Sequence, residues 1–221
     1  GSQYGCREPE GRPVMVEYSN PNTHKPLHVG HLRNVILGGS TCNILEASGQ
    51  RVIRANYLGD IGLHVIKWLC NYEKYHAGEQ PGEDKTRWMG DLFTEADRRF
   101  AFEEGFEAEV RAYFARWDAR DPHILALWKE SRDWSLEGFQ QVYALLGEHF
   151  DRIYFESEVE EPGKAAVEQL IKSGLAEDGR PDLPVVINLD EILGTRKSIG
   201  WLSSCVRTEP RFTRPRISRW R

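Results

Sequence analysis

The stretch PNTHKPLHVGHLRN, Pro21 to Asn34, sets two histidines around a glycine, just after an apolar run and just before a helical pattern. Upstream, PVMVEYS (Pro13 to Ser19) has apolar residues on both faces, the pattern of a buried parallel strand, and it ends in a loop from Asn20 to Leu27. Downstream, Val29, Leu32, Val35, Ile36, Ile44 and Leu45 fit a helix from Val29 to Glu46, with Gly49 as its C-cap. Arg51 to Leu58 reads as a second strand, and Gly59-Asp60 turns it into a helix containing Leu63, Val65, Ile66, Trp68 and Leu69. Strand, helix, strand, helix with right-handed crossovers predicts an α/β fold: a Rossmann-like, doubly wound parallel sheet.

The pattern then changes. GEQPGEDK (Gly78 to Lys85) breaks the periodicity, and Asp91 to Phe150 is highly charged with aromatics at helical spacing, among them Phe93, Phe106, Tyr113, Trp117, Trp128 and Tyr143. This predicts an all-helical insertion over 78–150. Its aromatics are expected to pack between amphipathic helices, with base stacking as the alternative. RIYFES (Arg152 to Ser157) and LPVVINL (Leu183 to Leu189) return to β-type sequence around a helix from Gly163 to Lys172, so the sheet is expected to resume over 151–197.

A chain of 221 residues, 40% of them hydrophobic, can bury a real core. Cys6, Cys42, Cys70 and Cys205 lie far apart with no C-x-x-C pair, which argues against a zinc site or a disulfide framework and suits a reducing compartment. A cytoplasmic location is expected. No apolar run reaches the roughly 18 residues of a membrane span, and no membrane partner is expected. The net charge of −5 is uneven: Ser198 to Arg221 holds six arginines against one glutamate, so residues 1–197 carry −10.

His28-Val29-Gly30-His31 lies where the first strand hands over to the first helix, and free backbone N–H groups there favour an anion. Gly30 removes a side chain so that a nucleotide can lie against the backbone, while His28 and His31 face one side and can donate to phosphate oxygens. Donors that strengthen as charge builds at phosphorus lower the barrier to adenylyl transfer. Lys25 adds a cation for the same phosphates. A metal pair is the alternative, but helical zinc ligands are spaced His-x-x-x-His with a glutamate, and no third ligand is evident, so no metal site is expected.

VEYSNPNTHKPLHVGHLRN (Val16 to Asn34) resembles the signature region of class I aminoacyl-tRNA synthetases, and Glu17, Pro21-Asn22, Lys25-Pro26 and His28-x-Gly30-His31-Leu32-Arg33 resemble the arginyl branch. Asn56-Tyr57-Leu58-Gly59-Asp60-x-Gly62, GDLFTEADRRF, WSLEGFQQVYALLG and FESEVEEPGKAAVEQL extend the resemblance over residues 13–197. It implies ATP-dependent joining of L-arginine to tRNA(Arg) through an arginyl-adenylate, with Mg2+, by a monomer. On that footing His28, His31 and Lys25 are catalytic and bind ATP with Gly30, whereas Glu17, Asn22 and Asp60 contact arginine. A solvated strand end is the plainer reading of Glu17, and ordinary turn chemistry that of Asp60. Residues 13–77 would then begin the catalytic domain, with 1–12 a remnant or linker.

The family's second signature, a lysine-serine-lysine loop, is not found; TRKS (Thr195 to Ser198) resembles it faintly and comes too early. The tail from Ser198 fits neither strand nor helix. A basic arm for tRNA phosphates is one reading. A change of reading frame between Lys197 and Ser204 is the expected one, because shifted codons after that point spell a string resembling the family's next segment. A non-native, disordered tail and a fragment unable to charge tRNA would follow. A small nucleotidyltransferase sharing the His-x-Gly-His physics is a further alternative, which the long insertion and the Asn-Pro-x-Thr-x-Lys-Pro loop count against.

Overall fold

Apolar residues in GRPVMVE extend the chain into β1 (Glu10–Glu17), the first strand of a parallel sheet. The computed structural model describes residues 5–179, 185–188 and 201–204. It divides into two units, residues 1–158 and 159–221.

In the first unit β1 is followed by α1 (Val29–Ala47), β2 (Gln50–Leu58), α2 (Leu63–Tyr75), α3 (Lys85–Phe102), α4 (Phe106–Asp118), α5 (Pro122–Leu146) and β3 (Arg152–Phe155). The strands are parallel in the order β1-β2-β3, with Glu17 opposite Ala55 and Leu58 opposite Phe155. The α/β class with a parallel sheet is as expected. Residues before Pro13 also take part: Arg7 N–H donates to the Ala47 carbonyl and Glu10 N–H to that of Gly49.

β1 departs from the expected strand. It starts at Glu10 and stops at Glu17, because Ser19 and Asn20 take left-handed φ values of 76° and 50°. It is also not buried on both faces: Val14 is 38% and Met15 50% exposed, since β1 is an edge that pairs only with β2 among the described strands. The C-cap of α1 is Ser48 rather than Gly49, which follows it at φ 90°.

The inward face of α1 is Val35, Gly38, Gly39 and Cys42, not the larger apolar residues, and Ile36 and Ile44 face outward. Small residues let the helix settle closely: a Cβ on Gly38 would land on the Tyr18 ring, and one on Gly39 on the Glu148 carboxylate. Beneath lies Arg54 of β2, 3% exposed, its guanidinium donating to Glu46, Glu148, Asn43 and the Tyr18 hydroxyl. A buried charge survives only when paired in this way.

Two clusters hold the helices. Val35, Leu58, Phe139 and Tyr143 form a core between α1, β2 and α5. Trp68 packs on Tyr72, Trp88 and Trp134, and its indole donates to the Met89 carbonyl at 3.1 Å. Aromatic pairs of this kind add ~0.5–1.5 kcal/mol each beyond burial. The insertion aromatics Phe106, Tyr113, Trp117, Trp128 and Tyr143 are thus core residues.

In the second unit, α6 (Glu156–Lys172) starts earlier than the Gly163 expected, just within the first unit, and carries Pro162 inside it. β4 (Val185–Asn188) does not rejoin the parallel sheet. It pairs antiparallel with β5 (Trp201–Ser204), so part of the tail read as neither strand nor helix is a strand. The residues from Cys205 onward, where disorder was expected, lie outside the described residues.

Candidate functional site

His28 is the N-cap of α1, with extended backbone at φ −135° and ψ 172°. Its Nδ1 accepts from the Gly30 N–H at 3.1 Å, and the His31 Nδ1 accepts from the His28 N–H at 3.3 Å. Two imidazoles therefore perform the reciprocal capping usually done by Ser or Thr with Glu or Gln. Their rings lie 3.9 Å apart between centroids. Because both Nδ1 atoms accept, the hydrogen-bond network assigns the ring protons of the neutral forms to Nε2. Burial, and then His28, lower the pKa of His31, so it stays neutral near pH 7. The helix mouth thus presents two Nε2–H donors of fixed orientation.

Gly30 has a structural duty here: a Cβ on it would meet the His28 ring at 2.8–2.9 Å. The cap requires the glycine.

The turn between β1 and α1 is pinned residue by residue. Asn20 N–H donates to Asn56 Oδ1 at 3.0 Å, Tyr57 N–H donates to Asn20 Oδ1 at 3.1 Å, and Asn20 Nδ2 donates to Glu17 at 2.9 Å. Asn56 Nδ2 donates to the Tyr143 hydroxyl at 3.1 Å, which leaves that hydroxyl free to donate to Ser19 Oγ at 2.7 Å. Burial raises the Tyr143 pKa and keeps the phenol protonated. Left-handed φ at Ser19, Asn20 and His24 is costly for residues other than glycine, and such strain gathers at functional sites. Here these bonds offset it. Ser19, Leu27, His28, His31, Val35 and Tyr143 line one cavity of about 350 Å3.

A family model for tRNA synthetases class I (R), catalytic domain, matches residues 1–203. The chain belongs to this class I tRNA synthetase family. Over 180 residues it is 38% identical to the arginine–tRNA ligase of Treponema pallidum, covering 79% of this chain and 31% of that protein. It is 32% identical over 193 residues to the arginine–tRNA ligase of Borreliella afzelii, covering 85% and 33%. The arginyl-tRNA synthetase structure from Thermus thermophilus shares its fold with a TM-score of 0.65 at 20% identity, covering 90% of this chain and 33% of that one. The one from Plasmodium falciparum gives 0.58 at 22%, covering 79% and 29%. The chain spans about a third of the length of the curated relatives it matches.

In this tRNA synthetase family member the other expected site residues divide by environment. Glu17 is exposed at the end of β1, and Asn22 is exposed in the loop, bridged through its backbone to Gly59. A Cβ on Gly59 would strike Asn22 Oδ1, so the two approach as closely as a glycine allows. Asp60 is buried and occupied: it accepts from Ser157 N–H at 2.9 Å, from Ser157 Oγ at 2.7 Å and from Arg132 Nη1 at 3.3 Å. Lys25 is half-buried with its Nζ 5.4 Å from the Phe93 ring centroid, and it does not line the cavity with His28 and His31. Among the described residues no group of three or more His, Cys, Asp or Glu is placed to hold a metal ion.

The sequence reading missed His24, Asn20, Asn56 and Tyr143. His24 is fully buried, its Nδ1 2.9 Å from Thr23 Oγ1 and its Nε2 2.8 Å from Ser131 Oγ, so it ties the loop to α5. Burial holds its pKa well below the ordinary histidine value. The asparagine-rich loop carried a turn signal that pointed to Asn20. Asn56 heads the Asn56 to Gly62 motif, which does not announce its bond to Tyr143, and Tyr143 meets Ser19 across 124 residues of sequence.

Proposed function

We propose that this chain supplies the nucleotide-handling part of the catalytic domain of an arginine–tRNA ligase. In the reaction an arginine carboxylate oxygen attacks the α-phosphorus of ATP, the bond from that phosphorus to the α,β-bridging oxygen breaks, and pyrophosphate leaves. Arginyl-adenylate remains, and a terminal ribose hydroxyl of tRNA(Arg) then takes the arginyl group and releases AMP. The observation that carries this reading is the reciprocal cap, which occupies both Nδ1 atoms and leaves two Nε2–H donors at a helix mouth. Such donors need no reorganisation as charge grows on the phosphate oxygens. Mg2+ would enter with the triphosphate and offset its charge.

Glu17 and Asn22 serve the amino acid: both are exposed at the carboxyl end of β1, where a carboxylate and an amide suit an ammonium or guanidinium group. Asp60 acts one step back, as a latch joining β2 to α5, because its oxygens are already taken. The chain alone is not expected to charge tRNA, since the family's second phosphate loop is not in its sequence. A cytoplasmic monomer fits this role; among the described residues no helix is long and apolar enough to cross a membrane.

Calorimetric titration of the 221-residue chain tests the proposal. Saturable ATP binding that tightens when L-arginine, but not L-lysine, is present supports it. Absence of ATP binding, or indifference to L-arginine, overturns it.

A further inference from the structure

Tyr143 stands on α5, within the helical insertion, and its ring belongs to the apolar cluster of Val35, Leu58 and Phe139, 5.0 Å from the Phe150 ring between centroids. A phenylalanine would suit all of those neighbours. The hydroxyl instead meets two buried polar side chains from the far side of the site: Ser19 Oγ at 2.7 Å, just past β1, and Asn56 Nδ2 at 3.1 Å, near the end of β2. A buried hydroxyl is costly unless it is used, and this one is used twice. The bonds then continue toward Glu17. Asn56 is fully buried, and with Nδ2 committed to Tyr143 its Oδ1 accepts from the Asn20 N–H at 3.0 Å; the opposite amide orientation would set an NH2 group against that N–H. Asn20, in left-handed backbone at φ 50°, accepts from the Tyr57 N–H through Oδ1 at 3.1 Å, which turns its Nδ2 to Glu17 Oε1 at 2.9 Å. The line runs from α5 through β2 and the loop to the end of β1.

We propose that Tyr143 is a positioning residue for the amino acid: its hydroxyl fixes the carboxylate of Glu17 through Asn56 and Asn20, so that arginine recognition depends on the docking of the helical insertion. The inference rests on the role proposed above for Glu17. An exposed glutamate samples many rotamers, and a ligand that binds its carboxylate must narrow them at an entropic cost. Holding Glu17 through Asn20 removes that cost before the ligand arrives. His28 and His31 stand outside the line, since each is held by the other's end of the α1 cap. Nucleotide binding there is therefore independent of the Tyr143 hydroxyl, and arginine binding is not.

The test titrates L-arginine into the 221-residue chain saturated with α,β-methylene ATP, which cannot release pyrophosphate, and titrates that nucleotide alone, both by calorimetry. Tyr143→Phe should weaken L-arginine by about three- to tenfold, the span of one neutral hydrogen bond, and leave the nucleotide within about twofold of wild type. Asn20→Ala should weaken L-arginine as well, and adding Tyr143→Phe to it should change nothing further, because the line is already cut. Phe150→Leu, which loosens the packing on the same ring, should lower stability without moving arginine affinity. In the ligand-free chain, Tyr143→Phe should shift the Asn20 side-chain amide resonances, read by 15N NMR, toward those of a freely rotating amide. The proposal is overturned if Tyr143→Phe leaves arginine affinity or the Asn20 amide as it was, if both ligands weaken alike, or if the effects of the two substitutions add. Arginine binding by the wild type that Tyr143→Phe does not alter removes this inference alone; a wild type indifferent to L-arginine removes the function proposed above and this inference with it.

Discussion

If the imidazoles of His28 and His31 both cap α1 and bind phosphate, the two roles can be separated by substitution. Changing His28→Ser together with His31→Gln installs the usual capping pair, which satisfies the same N–H groups of His28 and Gly30 or their neighbours. Stability should stay within about 1 kcal/mol of wild type, whereas His28→Ala, which removes the cap acceptor, should cost about 0.5–2 kcal/mol. Phosphate binding should behave differently. A hydrogen bond to a charged group contributes about 1.5–3 kcal/mol, so losing two weakens ATP by at least about 100-fold, at 1.4 kcal/mol per tenfold. Urea unfolding followed by tryptophan fluorescence reads the first quantity and calorimetry the second. A double variant that keeps its stability and binds ATP within about threefold of wild type would refute the phosphate role.

Other perturbations probe the scaffold. Asp60→Ala leaves Arg132 without its carboxylate between the Trp128 and Phe155 rings and should cost about 3–5 kcal/mol in urea unfolding; a loss under about 1 kcal/mol would deny the latch. Gly39→Ala drives a methyl group into Glu148 and should cost about 1–3 kcal/mol, lowering the Tm by about 2–4 °C per kcal/mol; an unchanged Tm contradicts the close approach of α1. His64 has its pKa pushed down to about 4 by burial and Lys25, while in the unfolded chain it takes a proton near 6.5. Its stabilising contribution is therefore complete above pH 6.5 and drains as pH falls toward 4, at about 1.4 kcal/mol per pH unit. His64→Gln should flatten the decline in urea midpoint between pH 7 and pH 5, and an identical slope in the variant would refute this.

The parallel class, the helical run over α3 to α5 and the position of the paired histidines were legible because each is written in local periodicity or a short motif. The exposure of β1 was not: whether a strand is central or an edge depends on partners far away in sequence, and apolar residues on both faces occur in either case. The inward face of α1 was not legible for a related reason. Hydrophobicity favoured Ile36 and Ile44, but Tyr18 and Glu148 leave space only for Gly38 and Gly39. At the site, residue type pointed to His28 and His31, while their capping geometry, which fixes the tautomers, required coordinates. The burial of Asp60 behind Ser157 and Arg132, and the reach of Tyr143 to Ser19, rest on contacts that no local pattern encodes.

The central claim is that the Nε2–H groups of His28 and His31 receive nucleotide phosphate. Histidine-selective 13C NMR of the 221-residue chain, titrated with ATP, tests it most directly. The account predicts that the ring resonances of His28 and His31 shift together and saturate, while buried His24 stays put. ATP that binds, or is present at high concentration, without moving either ring would contradict it.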